Sequence, residues 1–413
     1  MLISFVLCAN INFSSINTLM HLELKKRLIL KIVLMDISLY FSSLTFNIID
    51  IILVSVTGIA FIVSLYHFLY YYSIVQYTPE TNKDTFPPVS VIISAKNAAL
   101  MLEDHLQFWL EQDYPTFEVV IIDDCSMDET AYFLVTQAEK EPLLRYVLLD
   151  SGVIKSGGKK LALTLGIKKA RYSHFLLTDA DCIPASNQWL RQMAQQFESK
   201  TEIVLGVSPV ETGPGFLGKL VQYENVFTAL NFLGMALRGK PYMGVGRNLA
   251  YLRKTYDRVG GFSAHHHIPA GDDDLFVQST SNAENTAVCI RPEAYIKTQG
   301  PRTFQQYWNQ KMRHLWVGKY YLPEIKNRLA VFPIFQCIFW IGIICWFILG
   351  SSWLWPFGLI LIKVIPEWVI FSKKGKLLEM PKSGNWYPLF NLFYTFWYIY
   401  IGINAFFKKK IIW

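Results

Sequence analysis

The chain reads as an α/β protein: a mostly parallel sheet sandwiched by helices, with transmembrane helices on either side of it. Three observations carry that reading. Apolar runs that end in acids alternate with helical patterns through the middle of the chain. Long stretches with few or no charges lie near both ends. Only 17% of the 413 residues are charged, against 52% hydrophobic, where soluble proteins carry about 25% charged.

Taken in order, residues 1–47 are an N-terminal extension. Its Lys25, Lys26, Arg27 and Lys31 would be exported if the first apolar stretch alone set the topology. Met35-Asp36 offers an alternative start, so residues 1–34 are expected to be a poorly ordered extension or a mis-assigned beginning. Residues 48–72 form the first transmembrane helix, with Asp50 its one charge. Residues 329–407 hold two to three more. Leu329–Gly350 and Trp386–Phe407 contain no Lys, Arg, Asp or Glu and reach the roughly 20 residues that a span requires. Trp353–Phe371 includes Lys363, Pro366 and Glu367, so it is a weaker span or a helix whose charges face other helices. The lysines at 373, 374, 376 and 382 mark a cytoplasmic loop. Lys408-Lys409-Lys410 would then be exported, so either the weak stretch or the last one lies in the interface.

Residues 86–320 make one α/β domain. Val89–Ser94 is a buried strand after Pro87-Pro88, Leu100–Trp109 has helical spacing, and Phe117–Asp124 is a second strand ending in two acids. Thr130–Ala138 is helical, Arg145–Leu149 a strand, Lys159–Ala170 a helix and Phe175–Thr178 a strand that leads into Asp179-Ala-Asp181. Strands apolar throughout, separated by helices, imply a parallel sheet covered on both faces. Such sheets bind ligands beyond the carboxyl ends of their strands, where both acid pairs stand. No GxGxxG follows the first strand, which disfavours a dinucleotide site. The net charge of +7 comes without any basic-aromatic motif for nucleic acid and lies largely beside the apolar spans. The six cysteines are scattered without a CxxC pair, which fits a reducing compartment and suggests neither a disulfide framework nor a zinc site.

The ordered set Pro88-Val-Ser-Val-Ile-Ile-Ser-Ala-Lys-Asn97, Gln112-Asp-Tyr-Pro115, Val119–Asp128, Gly158-Lys159 and Asp179-Ala-Asp181 resembles the family 2 glycosyltransferases. The resemblance continues through Gly260-Gly-Phe262, Gly271-Asp-Asp-Asp-Leu275 and Gln310-Lys-Met-Arg313, with flanking spans as in the membrane-bound members. It implies a GT-A fold and inverting transfer from a nucleotide-diphospho-sugar, most often a UDP-sugar. It also implies Mg²⁺ or Mn²⁺ as cofactor, and a lipid-linked or glycan acceptor at the membrane. The expected location is a bacterial inner membrane, crossed several times, with the catalytic domain facing the cytoplasm.

By that resemblance, Asp124 and Ser94 contact the nucleotide base, while Asp123 braces the loop. Lys159, rather than Lys160, approaches the diphosphate from a helix N-terminus, and Thr164 stands where the family often has Asn. Asp179 and Asp181 hold the metal, since hard divalent ions take oxygen ligands and share them with phosphate. Aligning on Leu275 makes Asp272 the base that inversion needs, with Asp273 the alternative and Asp274 structural. Gly271 replaces the family's usual Glu. His265-His266-His267 is expected to belong to an acceptor loop rather than to a metal site.

Gln310 and Arg313 share a helix face at i, i+3 and line the acceptor and diphosphate side. Trp316 offers an aromatic platform there, because the family's Trp is here His314. Two alternatives stand beside this reading: a processive polysaccharide synthase, and a catalytically inactive membrane protein that binds nucleotide. A glycoside hydrolase also uses paired carboxylates, but it would leave Asp-x-Asp and the basic Gly-Gly-Lys turn unexplained.

Overall fold

The computed structural model describes residues 48–78, 86–150, 158–350, 352–379 and 383–408, together with Leu24, Arg27, Ile29 and Lys31. The rest of the expected extension, Gly157, Lys382 and the tail beyond Lys408 lie outside the described residues.

A long helix α1 (Ile48–Gln76) leads into the strand-helix alternation. This comprises β1 (Val89–Ala95), α2 (Ala99–Leu110), β2 (Phe117–Asp124), α3 (Thr130–Ala138), β3 (Leu144–Leu149), α4 (Lys159–Lys169) and β4 (His174–Asp179). The β-branched strands alternate cleanly between the two faces. Val91, Ile93, Val119 and Ile121 pack with Trp109 and Trp189, whereas Ile92, Val120 and Ile122 pack with Ala162, Leu163 and Ile167 of α4. Such double-sided burial is what all-apolar parallel strands require.

The second half is built from short pieces that periodicity alone does not reveal: β5 (Cys182–Pro184), α5 (Trp189–Ala194), β6 (Ile203–Leu205), β7 (Val210–Glu211), α6 (Gly215–Leu237), β8 (Leu249–Leu252) and α7 (Arg253–Arg258). They are followed by α8 (Asp274–Thr280), β9 (Thr286–Val288), β10 (Ile296–Gln299) and α9 (Phe304–Val317). Among the described residues, one sheet runs in the order β3-β2-β1-β4-β8-β6-β9 and a smaller one in the order β5-β10-β7. The pairs β1–β2, β2–β3 and β1–β4 are parallel, and β8 lies antiparallel between β4 and β6. In register, Ser94 stands opposite Asp179 and Ala95 opposite Asp123, so both acid pairs emerge at one sheet edge.

Three helices follow: α10 (Pro323–Leu349), α11 (Leu354–Leu377) and α12 (Tyr387–Phe407). Among the described residues, Ile48–Ile74, Pro323–Leu349 and Leu354–Lys376 are long and apolar enough to cross a membrane. The weaker C-terminal stretch therefore meets the criterion in spite of its charges. Lys363 is buried and paired with Glu367 at 2.8 Å, as charges within a bundle usually are. Helix α12 does not meet it, because its tyrosines, Asn391 and Asn404 lower its hydropathy. Instead α12 runs beside α9, with ring contacts Phe304–Trp397 and Trp308–Tyr400 and a Trp316 Nε1–H bond to the Lys408 carbonyl at 3.0 Å.

The core on the α4 face of the sheet continues without a break through α6 into these helices, by way of Tyr223, Phe371, Tyr387 and Phe390. At Gly234 of α6, an added Cβ would stand 2.3 Å from the Tyr70 carbonyl oxygen of α1. We expect Gly234→Leu to lower the stability of the purified protein by about 1–3 kcal/mol, as overpacking generally does. Gly58→Leu, with nothing within 4 Å of its Cβ position, should leave it unchanged. The thermal unfolding midpoints of the two variants in detergent check this.

Candidate active site

The acidic edge of the sheet is assembled by the ends of β1, β2 and β4 and the start of α4. Asp123 Oδ1 accepts from the Ser126 N–H at 3.1 Å and so braces its own loop. Asp124 is buried, its Oδ1 accepts from the Gly158 N–H at 2.8 Å, and Lys96 Nζ stands 3.9 Å from its Oδ2. These bonds bring the tip of β2 to the first turn of α4. Lys159 Nζ lies 2.7 Å from Asp179 Oδ1 and 3.4 Å from Asp272 Oδ2. Burial disfavours its charge, but Asp179 and Asp272 outweigh burial and hold its pKa well above that of an ordinary lysine. Burial likewise disfavours the Asp179 carboxylate, and Lys159, helped by Arg247, reverses the balance and lowers its pKa.

The neighbouring Lys160 has a different task. Its ammonium donates to the carbonyls of His265 at 2.8 Å and Ile268 at 3.0 Å. It thereby ties the histidine loop to α4, and burial brings its pKa down to about 8. Thr164 is likewise occupied, bonded to the Lys160 carbonyl and to the Tyr256 hydroxyl. His265 is buried, and burial and Lys160 lower its pKa to about 4.

Asp179, Asp181 and Cys182 form the one group of three metal-capable side chains among the described residues, their ligand atoms within 4.8 Å of one another. Two carboxylates suit a hard divalent ion that completes its shell with phosphate oxygens. Cys182 does not add a thiolate. It is buried, its Sγ–H points to Asp181 Oδ1 at 3.2 Å, and burial together with Asp181 raises its pKa. The turn between the two acids is held by His105, whose Nδ1 is 2.9 Å from the Ala180 carbonyl.

The three consecutive acids divide their roles through backbone geometry. Asp273 caps α8, accepting from the Asp274 N–H at 2.7 Å and from the Gly246 N–H at 3.1 Å; burial and Asp272 raise its pKa to about 6. Asp274 accepts from the Tyr321 hydroxyl, and burial, then Asp273, raises its pKa. Asp272 is left facing Lys159.

One cavity of about 660 Å³ joins these groups. Lys159, Asp179, Asp181 and Asp272–Asp274 line its outer part with Gln310, Arg313 and His314, and its inner part passes between α6, α10 and α12. The Thr303 capping box starts α9, and the i, i+3 spacing turns Gln310 and Arg313 to the cavity together. Trp316 is not with them, which corrects the platform expected there. It is buried among Ile268, Ala270 and Leu275, and its N–H is committed to the Lys408 carbonyl.

Ser94 stands in register with Asp179, but neither it nor Asp124, which accepts from the Gly158 N–H, lines this cavity. Sequence reasoning missed Arg247, which lines the cavity with its Nε–H bonded to Ser208 Oγ at 2.5 Å. The Gly244-Val-Gly246-Arg247 pattern ahead of a strand was its one signal. It also missed Glu224, Lys311 and Tyr394, whose partners come from elements distant in sequence.

Residues 90–263 match the model of the family described as "Glycosyl transferase family 2". A probable glycosyltransferase, YdaM, of Bacillus subtilis (strain 168) is 24% identical over 62% of this chain and 63% of its own length. The poly-beta-1,6-N-acetyl-D-glucosamine synthase of Staphylococcus aureus (strain COL) is 27% identical over 57% of this chain and 55% of its own length. The chain thus spans less than two thirds of either relative. In fold it is similar to the mannosyltransferase PcManGT from Pyrobaculum calidifontis, solved in complex with GDP-Man and Mn²⁺. The TM-score is 0.53 at 17% identity, over 85% of this chain and 99% of that one. Residues 90–263 therefore make a domain similar to glycosyl transferase family 2, in a fold of the GT-A type.

Proposed function

We propose that the protein transfers a sugar, with inversion and with a divalent metal, from a nucleotide-diphospho-sugar to a membrane-associated lipid or glycan acceptor. One observation carries this reading: Lys159 bridges Asp179 of the Asp-x-Asp turn and Asp272. In support of it, the Asp-x-Asp turn and the Asp272 carboxylate lie within one side chain's reach and line the same cavity as residues of α6, α10 and α12.

In this scheme Asp124 and Ser94 receive the base, most simply a uracil, whose N–H donates to the Asp124 carboxylate. Asp179 and Asp181 hold Mg²⁺ or Mn²⁺, which when bound would neutralise charge on the diphosphate. Lys159 adds an ammonium to the same phosphates once they compete for it. Asp272 takes the proton of the acceptor hydroxyl as that oxygen bonds to the anomeric carbon. The bond from that carbon to the phosphate oxygen breaks on the opposite face, its electron pair leaving with the nucleoside diphosphate. Asp273 and Asp274 are less suited to be the base, because backbone N–H groups and Tyr321 already engage them. Gln310 and Arg313 face the acceptor and the departing diphosphate.

Residues 86–320 perform the transfer in this reading, while residues 48–72 and 329–407 hold it at the membrane. If Ile48–Ile74, Pro323–Leu349 and Leu354–Lys376 cross and α12 lies in the interface beside α9, then Lys373, Lys374, Lys376 and Lys408 all fall on the catalytic side. For a domain facing the cytoplasm, these C-terminal lysines then agree with the positive-inside rule, whereas Lys25, Lys26, Arg27 and Lys31 would lie across the first span from them. A processive version of the same reaction has one observation in its favour, the continuation of the cavity between α6, α10 and α12; product length would decide it.

Two outcomes test the scheme. Asp272→Asn should keep nucleotide-sugar affinity within about twofold while transfer falls by roughly 10²–10⁴, the usual contribution of a general base. Unchanged transfer in membranes supplied with radiolabelled UDP-N-acetylglucosamine would reject the assignment. Chelation by EDTA should abolish transfer and Mn²⁺ should restore it. In calorimetry, Asp181→Ala should weaken UDP–Mn²⁺ binding at least about tenfold, the loss of a charged ligand being worth more than 1.4 kcal/mol; metal-independent UDP binding in the wild type would contradict the clamp.

A further inference from the structure

In the cavity wall formed by α6, α9 and α12, the buried Glu224 of α6 forms a junction that the transfer scheme does not use. Its Oε2 lies 2.9 Å from Lys311 Nζ of α9, and its Oε1 accepts from the Tyr394 hydroxyl of α12 at 2.7 Å. Further in, Gln336 of α10 donates to Asn391 Oδ1 at 2.8 Å, and Tyr223 meets the Tyr394 ring at 5.4 Å. All six side chains line the cavity.

An ion pair removed from water rarely stabilises a fold relative to apolar packing, because desolvating both charges costs several kcal/mol per ion. Its position in a cavity wall next to Gln310 and Arg313 calls for a ligand-directed explanation. An isoprenoid tail drawn into this arm would strip water from Glu224, Lys311, Gln336 and Asn391 and return no hydrogen bonds. A hydroxyl-rich chain would supply donors and acceptors to each, and the Tyr223 and Tyr394 rings would offer apolar faces to the C–H side of a sugar ring. We propose that the inner arm of the cavity is a subsite for the glycan part of the acceptor, with the Glu224–Lys311 pair as its polar anchor. It rests on the transfer reading above and narrows the acceptor from lipid or glycan to glycan.

Binding, rather than turnover, tests it. The full-length protein in detergent is titrated calorimetrically with UDP and Mn²⁺, with an N-acetylglucosamine tetrasaccharide, and with a polyprenyl phosphate. The wild type should bind the tetrasaccharide. Glu224→Gln should weaken that binding at least tenfold, and Tyr394→Phe, which removes one hydroxyl and keeps the ring, about threefold. Both should hold UDP within twofold of wild type, which shows that they are folded. UDP binding with no tetrasaccharide binding, or tetrasaccharide binding indifferent to both substitutions, overturns the inference alone. Polyprenyl phosphate binding that Glu224→Gln abolishes, with none for the tetrasaccharide, also overturns it. Failure of the wild type to bind UDP overturns the donor reading and the inference with it.

Discussion

Carboxylates converge at the open edge of the sheet because parallel strands all end there, and Lys159 is the cation that makes the convergence tolerable. Asp179 leaves β4, Asp272 precedes α8, and neither could approach the other in a buried cleft without a countercharge. Lys159 stands between them, on the first turn of a helix whose start is pinned by the Asp124–Gly158 bond. The position of that one ammonium therefore depends on β2, and the position of Asp272 depends on the ammonium. Lys160, next in sequence, secures the other side by holding the His265–Ile268 loop that leads into Asp272. Two adjacent lysines thus serve the site in different ways, one by charge and one by anchoring backbone.

The same logic separates the three consecutive acids. A helix N-terminus favours negative charge whatever its use, so the sequence Asp-Asp-Asp does not by itself say which residue faces a substrate. Backbone geometry does. All three line the cavity, but Asp273 is consumed by the cap and by Gly246, Asp274 by Tyr321, and Asp272 is the one that pairs with Lys159. Behind them the shared apolar core ties the large sheet to the long helices through α6. The wall of the site and the wall of the bundle are therefore one surface, which is why a single cavity reaches both.

Much of this was legible in the residues. The strand-helix alternation up to Asp179 was readable because Val-Ile runs buried on both faces leave no ambiguity of period, and the acids at their ends fall where such sheets bind ligands. The Asp-x-Asp turn is legible for the same reason, whereas Lys159 is singled out from Lys160 by the resemblance of its motif. The second half was not, because β5 to β10 are too short to show a period and draw their stability from neighbours far along the chain. Asn248 is an example: its amide joins the Val207 and Ala294 carbonyls and the Trp189 indole, partners no local pattern predicts. Nothing local marks Glu224, which shares its helix with Lys219, and Trp316 reads as a platform; tertiary packing places the first inside the cavity and the second outside it. Helix α12 reads as a span because it lacks charge, whereas its Tyr394, Trp397 and Tyr387 bond to α6, α9 and α11 respectively.

The central claim is that Asp272 and the Asp179–Asp181 turn act from opposite sides of one anomeric carbon, and the configuration of the new bond reports on it directly. With an α-linked nucleotide sugar as donor, proton NMR of the isolated product should show a β-linkage. An α-linkage would contradict in-line attack and remove Asp272 from the role given to it.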